Sequence, residues 1–240
     1  MNTCCLLLRL EGPLQSWGYR SRFKDRDTGL EPTKSGVIGL ICCALGRDRR
    51  EPLDDLRTLT MHVRVDREGR LLKDFQTAGA GKFRGSDNYS APKSDGSKGK
   101  DAVLLDKHYL EDASFLVALE GDPDLLTQIE QALRDPVWPL SLGRRSCPPA
   151  APVLVGIRFT DGINALRTEP LEKRDNPPAK QDETGAERSD PKKLRLLTEL
   201  PPGDFQGEVR PDVPMAWPDR QTRIYADRYV HESLQEIKEP

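Results

Sequence analysis

The run Thr3 to Glu11 (TCCLLLRLE) is apolar at most positions over the length of one strand, which predicts a buried central strand. Gly12 to Pro32, rich in Gly, Pro and basic residues, reads as a loop. Val37, Leu40, Ile41, Ala44 and Leu45 then recur at i, i+3, i+4, i+7 and i+8, the spacing of one helix face. Thr33 after Pro32 is the N-cap candidate, and Gly46 the C-cap candidate. Leu59 to Val65 alternates as a strand, and Asp66 to Gly69 turns into a second strand, Leu71 to Thr77. Further along, Ala113 to Leu119 is a strongly apolar strand. Asp122-Pro123 opens a helix that places Leu125, Leu126, Ile129, Ala132 and Leu133 on one face. Val153 to Phe159, Leu194 to Leu200 and Thr222 to Val230 complete the predicted strands.

Two segments cannot contribute to a core. Gly79 to Lys100 is dense in Gly, Ser, Asp and Lys and reads as a protruding finger; Thr168 to Lys193 is polar, charge-balanced and interrupted by prolines. The order strand, helix, strand, insertion, strand, helix, strand predicts an α+β protein of ferredoxin-like (RRM-like) βαββαβ plan. Leu71 to Thr77 is one strand too many for that plan. It is accommodated by a β-hairpin thumb inserted at about residues 70–112 between the second and third core strands. The expected organisation is a core domain over 1–160 and a small β-rich extension over 161–240 with its polar loop at about 168–193.

Charge changes this picture locally. The 240 residues carry a net charge of −2, which by itself points to no polyanion. Between Gly79 and Lys100, however, Lys82, Arg84, Lys93, Lys98 and Lys100 face only Asp87 and Asp95, and Gly143 to Arg158 holds three arginines and no acid. An acidic chain can thereby present a basic groove to phosphates, although a charged run can also be a solvated face. No apolar run reaches the roughly 20 residues of a membrane span, and the N-terminus lacks the pattern of a signal peptide. Cys4, Cys5, Cys42, Cys43 and Cys147 lack zinc spacing and read as reduced core residues of a cytoplasmic protein. Neither they nor the three histidines suggest a metal or cofactor.

Four stretches carry candidate chemistry. Pro32-Thr33-Lys34-Ser35-Gly36 opens a helix where free amides suit a phosphate, or where Thr33 simply caps. Gln15-Ser16-Trp17-Gly18 sets an amide and an aromatic directly after the first strand, so Trp17 is either a base-stacking platform or a core plug. Gly143-Arg144-Arg145-Ser146-Cys147-Pro148 offers two guanidiniums beside a kinked segment that a ligand can approach closely. Lys107-His108-Tyr109 could act as an acid/base cluster cutting RNA through the 2′-hydroxyl, or His108 could serve as a strand-entry or RNA-contact residue. No motif pairs a base with Cys147 as a nucleophile.

Taken in order, several stretches resemble the CasD family, the 5′-handle-binding RAMP subunit of the type I-E CRISPR Cascade complex. They are Leu7 to Gly18 (LLRLEGPLQSWG), Pro32 to Leu40 with Leu45-Gly46, Tyr109 to Phe115, Gly143 to Pro148, and Arg223 to Val230. The resemblance implies a RAMP fold with a thumb, and a chain that caps the crRNA 5′ handle without cutting it. It also implies partners: the CasC backbone and CasA large subunits, and through the complex target DNA and the recruited nuclease-helicase. RNA contacts are expected from Gln15, Ser16, Trp17, Gly18, Thr33, Lys34, Ser35, Arg144, Arg145, Ser146, Cys147 and Pro148, with Lys82 and Arg84 on the thumb and Lys107 and His108 beside it. The rival expectation is a metal-independent endoribonuclease, as in the related type I-C subunit, using Lys107, His108 and Tyr109.

Overall fold

A computed structural model describes residues 3–18, 25–79, 96–97, 102–171, 192–215 and 224–237. Strand β1 (Cys5–Glu11) is buried at every position, as its unbroken apolar run requires. Two short strands follow, β2 (Leu14–Gln15) and β3 (Asp25–Arg26), and then helix α1 (Lys34–Leu45). Thr33 caps α1 by accepting from Gly36 N, and Gly46 ends it in the left-handed region. After a 3-10 turn at Leu56–Thr58 come β4 (Thr60–Arg67), β5 (Arg70–Ala78), β6 (Val103–Glu111) and β7 (Ser114–Glu120). Helix α2 (Pro123–Arg134) is capped by the Asp122 carboxylate, which accepts from Asp124 N and Leu125 N. The remaining elements are β8 (Leu154–Arg158), α3 (Gly162–Thr168), β9 (Lys192–Glu199), β10 (Glu208–Pro214) and β11 (Tyr225–Ile237).

The protein is α+β. Seven strands form one antiparallel sheet in the order β10-β11-β9-β4-β7-β1-β8. Strand alternation divides the apolar residues between two faces. Leu6, Leu8 and Leu10 of β1 join Met61, Val63, Val65, Phe115, Val117 and Leu119 beneath α1 and α2. Cys5, Leu7, Leu116 and Ala118 face the other way, against Ala165 and Leu166 of α3. A second sheet is centred on β6, which pairs along its length with β5 and, on its other side, with β2 and β3. The finger between β5 and β6 lies largely outside the described residues, as do Lys82, Arg84 and most of the polar loop expected at 168–193.

Five elements were given no bounds by the sequence reading, the longest of them β6, the return strand of the hairpin. β2 and β3 are two-residue strands, and α3 spans only seven residues. β10 (EVRPDVP) contains two prolines and reads as loop, yet it pairs as an edge strand, the place where a sheet tolerates proline. β9 to β11 continue the central sheet, and Leu197 and Val230 enter the same core as β1.

Candidate nucleic-acid interface

The loop after β1 folds inward. Gln15 is fully buried; its Nε2 donates to Leu10 O at 3.1 Å and to Ala113 O at 2.8 Å, while its Oε1 accepts from Trp17 Nε1 at 2.9 Å. Trp17 is only 1% exposed and lies against Gly36, where an added Cβ would meet the indole at 2.8 Å. Ser16 Oγ donates to His108 O at 3.3 Å. Hence Gln15, Ser16 and Trp17 direct their side chains into the chain. Base stacking by Trp17 would need an exposed ring, so its place is that of a core plug. Gly18 is exposed beside Asp27 O, an approach that leaves no room for a Cβ.

The start of α1 is already occupied. Its first free amide, Lys34 N, donates to Asp212 Oδ2 at 2.8 Å, and Lys34 Nζ pairs with Glu199 at 2.7 Å. Arg228 grips Asp212 with two nitrogens and reaches Glu199 at 3.3 Å. Burial pushes the Lys34 ammonium down against the pull of Glu199. A carboxylate from β10 therefore fills the place expected for a phosphate, and Thr33 and Lys34 are buried. Ser35 stays half-buried, with its Oγ 3.4 Å from Thr33 Oγ1.

Around the Gly143 turn the two arginines divide their work. Arg144 donates to His108 O at 3.1 Å, Arg26 O at 2.7 Å and Asp27 O at 3.2 Å, and its guanidinium lies 4.8 Å from the centre of the Tyr109 ring. It is an internal pin joining β3, β6 and the turn. Arg145 is exposed, and its guanidinium makes no ion pair or hydrogen bond among the described residues; the same holds for Arg26. Gly143 sits at φ 88°, and a Cβ there would stand 1.8 Å from Ser16 O. Ser16 N donates to Leu142 O at 3.0 Å, so the loop after β1 and this turn are interlocked. Cys147 is fully buried, and desolvation pushes its thiol up, which removes it as a nucleophile. Its neighbours Ser146 and Pro148 are exposed.

Lys107, His108 and Tyr109 are consecutive on β6, so their side chains leave alternate faces and do not converge on one bond. Lys107 Nζ donates to Gln76 at 2.6 Å, Tyr109 is buried under Arg144, and His108 Nδ1 is buried with no hydrogen-bond partner among the described residues. Among the described residues, no three His, Cys, Asp or Glu side chains gather to hold a metal, and no helix is long and apolar enough to cross a membrane.

Sequence reading missed Arg64, fully buried on β4. It pairs with Asp66 at 2.6 Å and donates to Leu166 O and Glu169 O at the end of α3, where the helix dipole favours a cation. It also missed Trp138, 42% exposed after α2, for which an aromatic outside any periodic segment was the available signal.

The interlocked loop, turn and hairpin foot thus form one corner of an α+β protein, with the exposed Arg26 and Arg145 at its edge. The family model described as CRISPR-associated protein (Cas_Cas5) matches residues 5–231, and the chain belongs to that family. Over 159 residues, 63% of this chain and 70% of the relative, it is 34% identical to the CRISPR system Cascade subunit CasD of Escherichia coli (strain K12). A solved structure described as a Cas protein is 36% identical, with a TM-score of 0.69 over 97% of this chain and 95% of that one. A chain of a structure described as a CRISPR RNA-guided surveillance complex is 33% identical, with a TM-score of 0.78 over 97% of this chain and 90% of that one.

Proposed function

We propose that the chain is a non-catalytic RNA-binding subunit of a Cascade-type CRISPR complex and that it caps the 5′ handle of the guide RNA. The observation that carries this reading is the corner where the Gly12–Gly18 loop, the foot of the β5–β6 hairpin and the Gly143–Pro148 turn interlock, with Arg26 and Arg145 turned outward. Arg144 fixes that corner from within, so the two guanidiniums, which have no partner among the described residues, meet a phosphate backbone with little left to organise. Likeness to a chain of an RNA-guided complex supports guide RNA as the polyanion. Lys107, His108 and Tyr109 serve the strand rather than a cleavage reaction.

The spatial order β8-β1-β7-β4, with α1 and α2 on one face, supports a ferredoxin-like RAMP core over 1–160. In this reading the β5–β6 hairpin is the thumb inserted at about 70–112 and brings Lys82 and Arg84 to the RNA. Strands β9 to β11 form the extension over 161–240. The protein partners are the CasC backbone and CasA subunits, and target DNA and the nuclease-helicase are reached through the assembled complex, in the cytoplasm.

The test is co-expression with repeat RNA and the other subunits, followed by sequencing of the bound RNA. Arg26→Ala with Arg145→Ala is expected to strip the guide from the purified complex and to lower the salt slope of binding by about 1–2. Undiminished guide content refutes the site. A product ending in a 2′,3′-cyclic phosphate that disappears in His108→Ala would make the chain the ribonuclease instead.

A further inference from the structure

We infer that Trp138 is a stacking platform for a nucleobase of single-stranded RNA, acting beside Arg145 at the C-terminal end of α1. The inference rests on the RNA-binding reading of the same corner and extends the RNA path beyond the Gly143 turn. Its first support is rigidity. Val137 N donates to Ala44 O at 3.0 Å and Trp138 N to Cys43 O at 3.1 Å, which staples the segment after α2 to the last turn of α1. Val137 also packs over Gly46, where a Cβ would meet its methyls at 3.0–3.1 Å. The indole is thus carried on a fixed backbone, yet it is 42% exposed and makes no ring contact or hydrogen bond among the described residues.

Its second support is charge. Arg145 follows Trp138 by seven positions and is exposed as it is. Arg145 rides on a turn closed by two hydrogen bonds, Leu142 N to Cys147 O at 2.7 Å and Cys147 N to Arg144 O at 2.9 Å. A rigid exposed aromatic followed by a guanidinium with no partner among the described residues fits single-stranded nucleic acid, since the ring takes a base face and the cation the adjoining phosphate. Trp17, the aromatic that the sequence offered for this task, is buried, so the stacking role falls to a residue some 120 positions later.

The experiment uses the assembled complex carrying guide RNA with 5-iodouridine in its handle, irradiated and mapped by mass spectrometry, together with filter binding of that RNA. A crosslink on Trp138 is expected, with affinity reduced about tenfold in Trp138→Ala and largely retained in Trp138→Phe. Salt dependence should fall in Arg145→Ala and hold in Trp138→Ala, because stacking releases no counterions. Trp138→Ala binding RNA like the parent, without a crosslink, overturns the inference, as does a Trp138→Ala complex that keeps its RNA and loses a protein subunit. A parent complex that carries no RNA sinks the underlying reading instead.

Discussion

Gly143→Ala tests how the loop after β1 and the Gly143 turn are held together. Three consequences follow from one methyl. The residue sits at φ 88°, where a side chain costs about 1–2 kcal/mol. The new Cβ would lie 1.8 Å from Ser16 O, so the Ser16 carbonyl must retreat by more than an ångström. That shift breaks the Ser16 N to Leu142 O and Ser16 Oγ to His108 O hydrogen bonds, each contributing about 1 kcal/mol. The total is about 3–4 kcal/mol. Gly203→Ala provides the comparison, because its φ is 93° and nothing lies within 4 Å, so backbone strain alone applies. In urea unfolding followed by circular dichroism, with a slope of about 2–3 kcal/mol/M, Gly143→Ala lowers the midpoint by about 1–2 M and Gly203→Ala by about half a molar. Equal shifts for the two variants would refute the claim that the loop and the turn are interlocked.

Three other outcomes can be checked. Gly39→Ala, in the middle of α1 with open space around it, should stabilise the protein by about 1 kcal/mol in the same assay. The Glu120 carboxyl is held below its ordinary 4.5 by hydrogen bonds from His62 and Gly162 N. A carboxyl lowered by folding contributes stability above its unfolded value and loses it as pH falls through the folded value. Glu120→Gln should therefore flatten the loss of stability below pH 4.5 and lower stability at neutral pH. Burial pushes the Cys5 thiol up to about 12 and the Cys42 thiol to about 11. Iodoacetamide at neutral pH should label Cys42 and Cys43 slowly and leave Cys5 and Cys147 untouched until the protein unfolds, and prompt labelling of Cys147 would contradict its burial.

The core was legible because its residues are read one strand or helix at a time. β1, α1, β4, β7 and α2 each carry an apolar period with a cap or turn at the end, and each lies where that pattern set it. β10 was hidden because its two prolines argue against a strand unless the strand is known to be an edge, which is a tertiary fact. The site was half legible for a related reason. Gly12 to Gly18 and Gly143 to Pro148 stand out as unusual stretches, but the direction of each side chain depends on partners more than ninety residues away. Gln15 turns inward to Ala113, Lys34 to Glu199, and Arg144 to Arg26. Spacing along the chain could not separate the arginine that pins from the arginine that faces out.

The carboxylate that caps α1 arrives 178 residues after the helix it serves. During synthesis the amide of Lys34 and the buried ammonium beside it must await Asp212, Glu199 and Arg228, which emerge with the final strands. The first half of the chain can collapse early around β1, yet its leading helix keeps an unmet polar end until the last ribbon docks. Closure is thereby postponed until β10 and β11 are made, and a nascent chain halted before β10 would hold the start of α1 open to water.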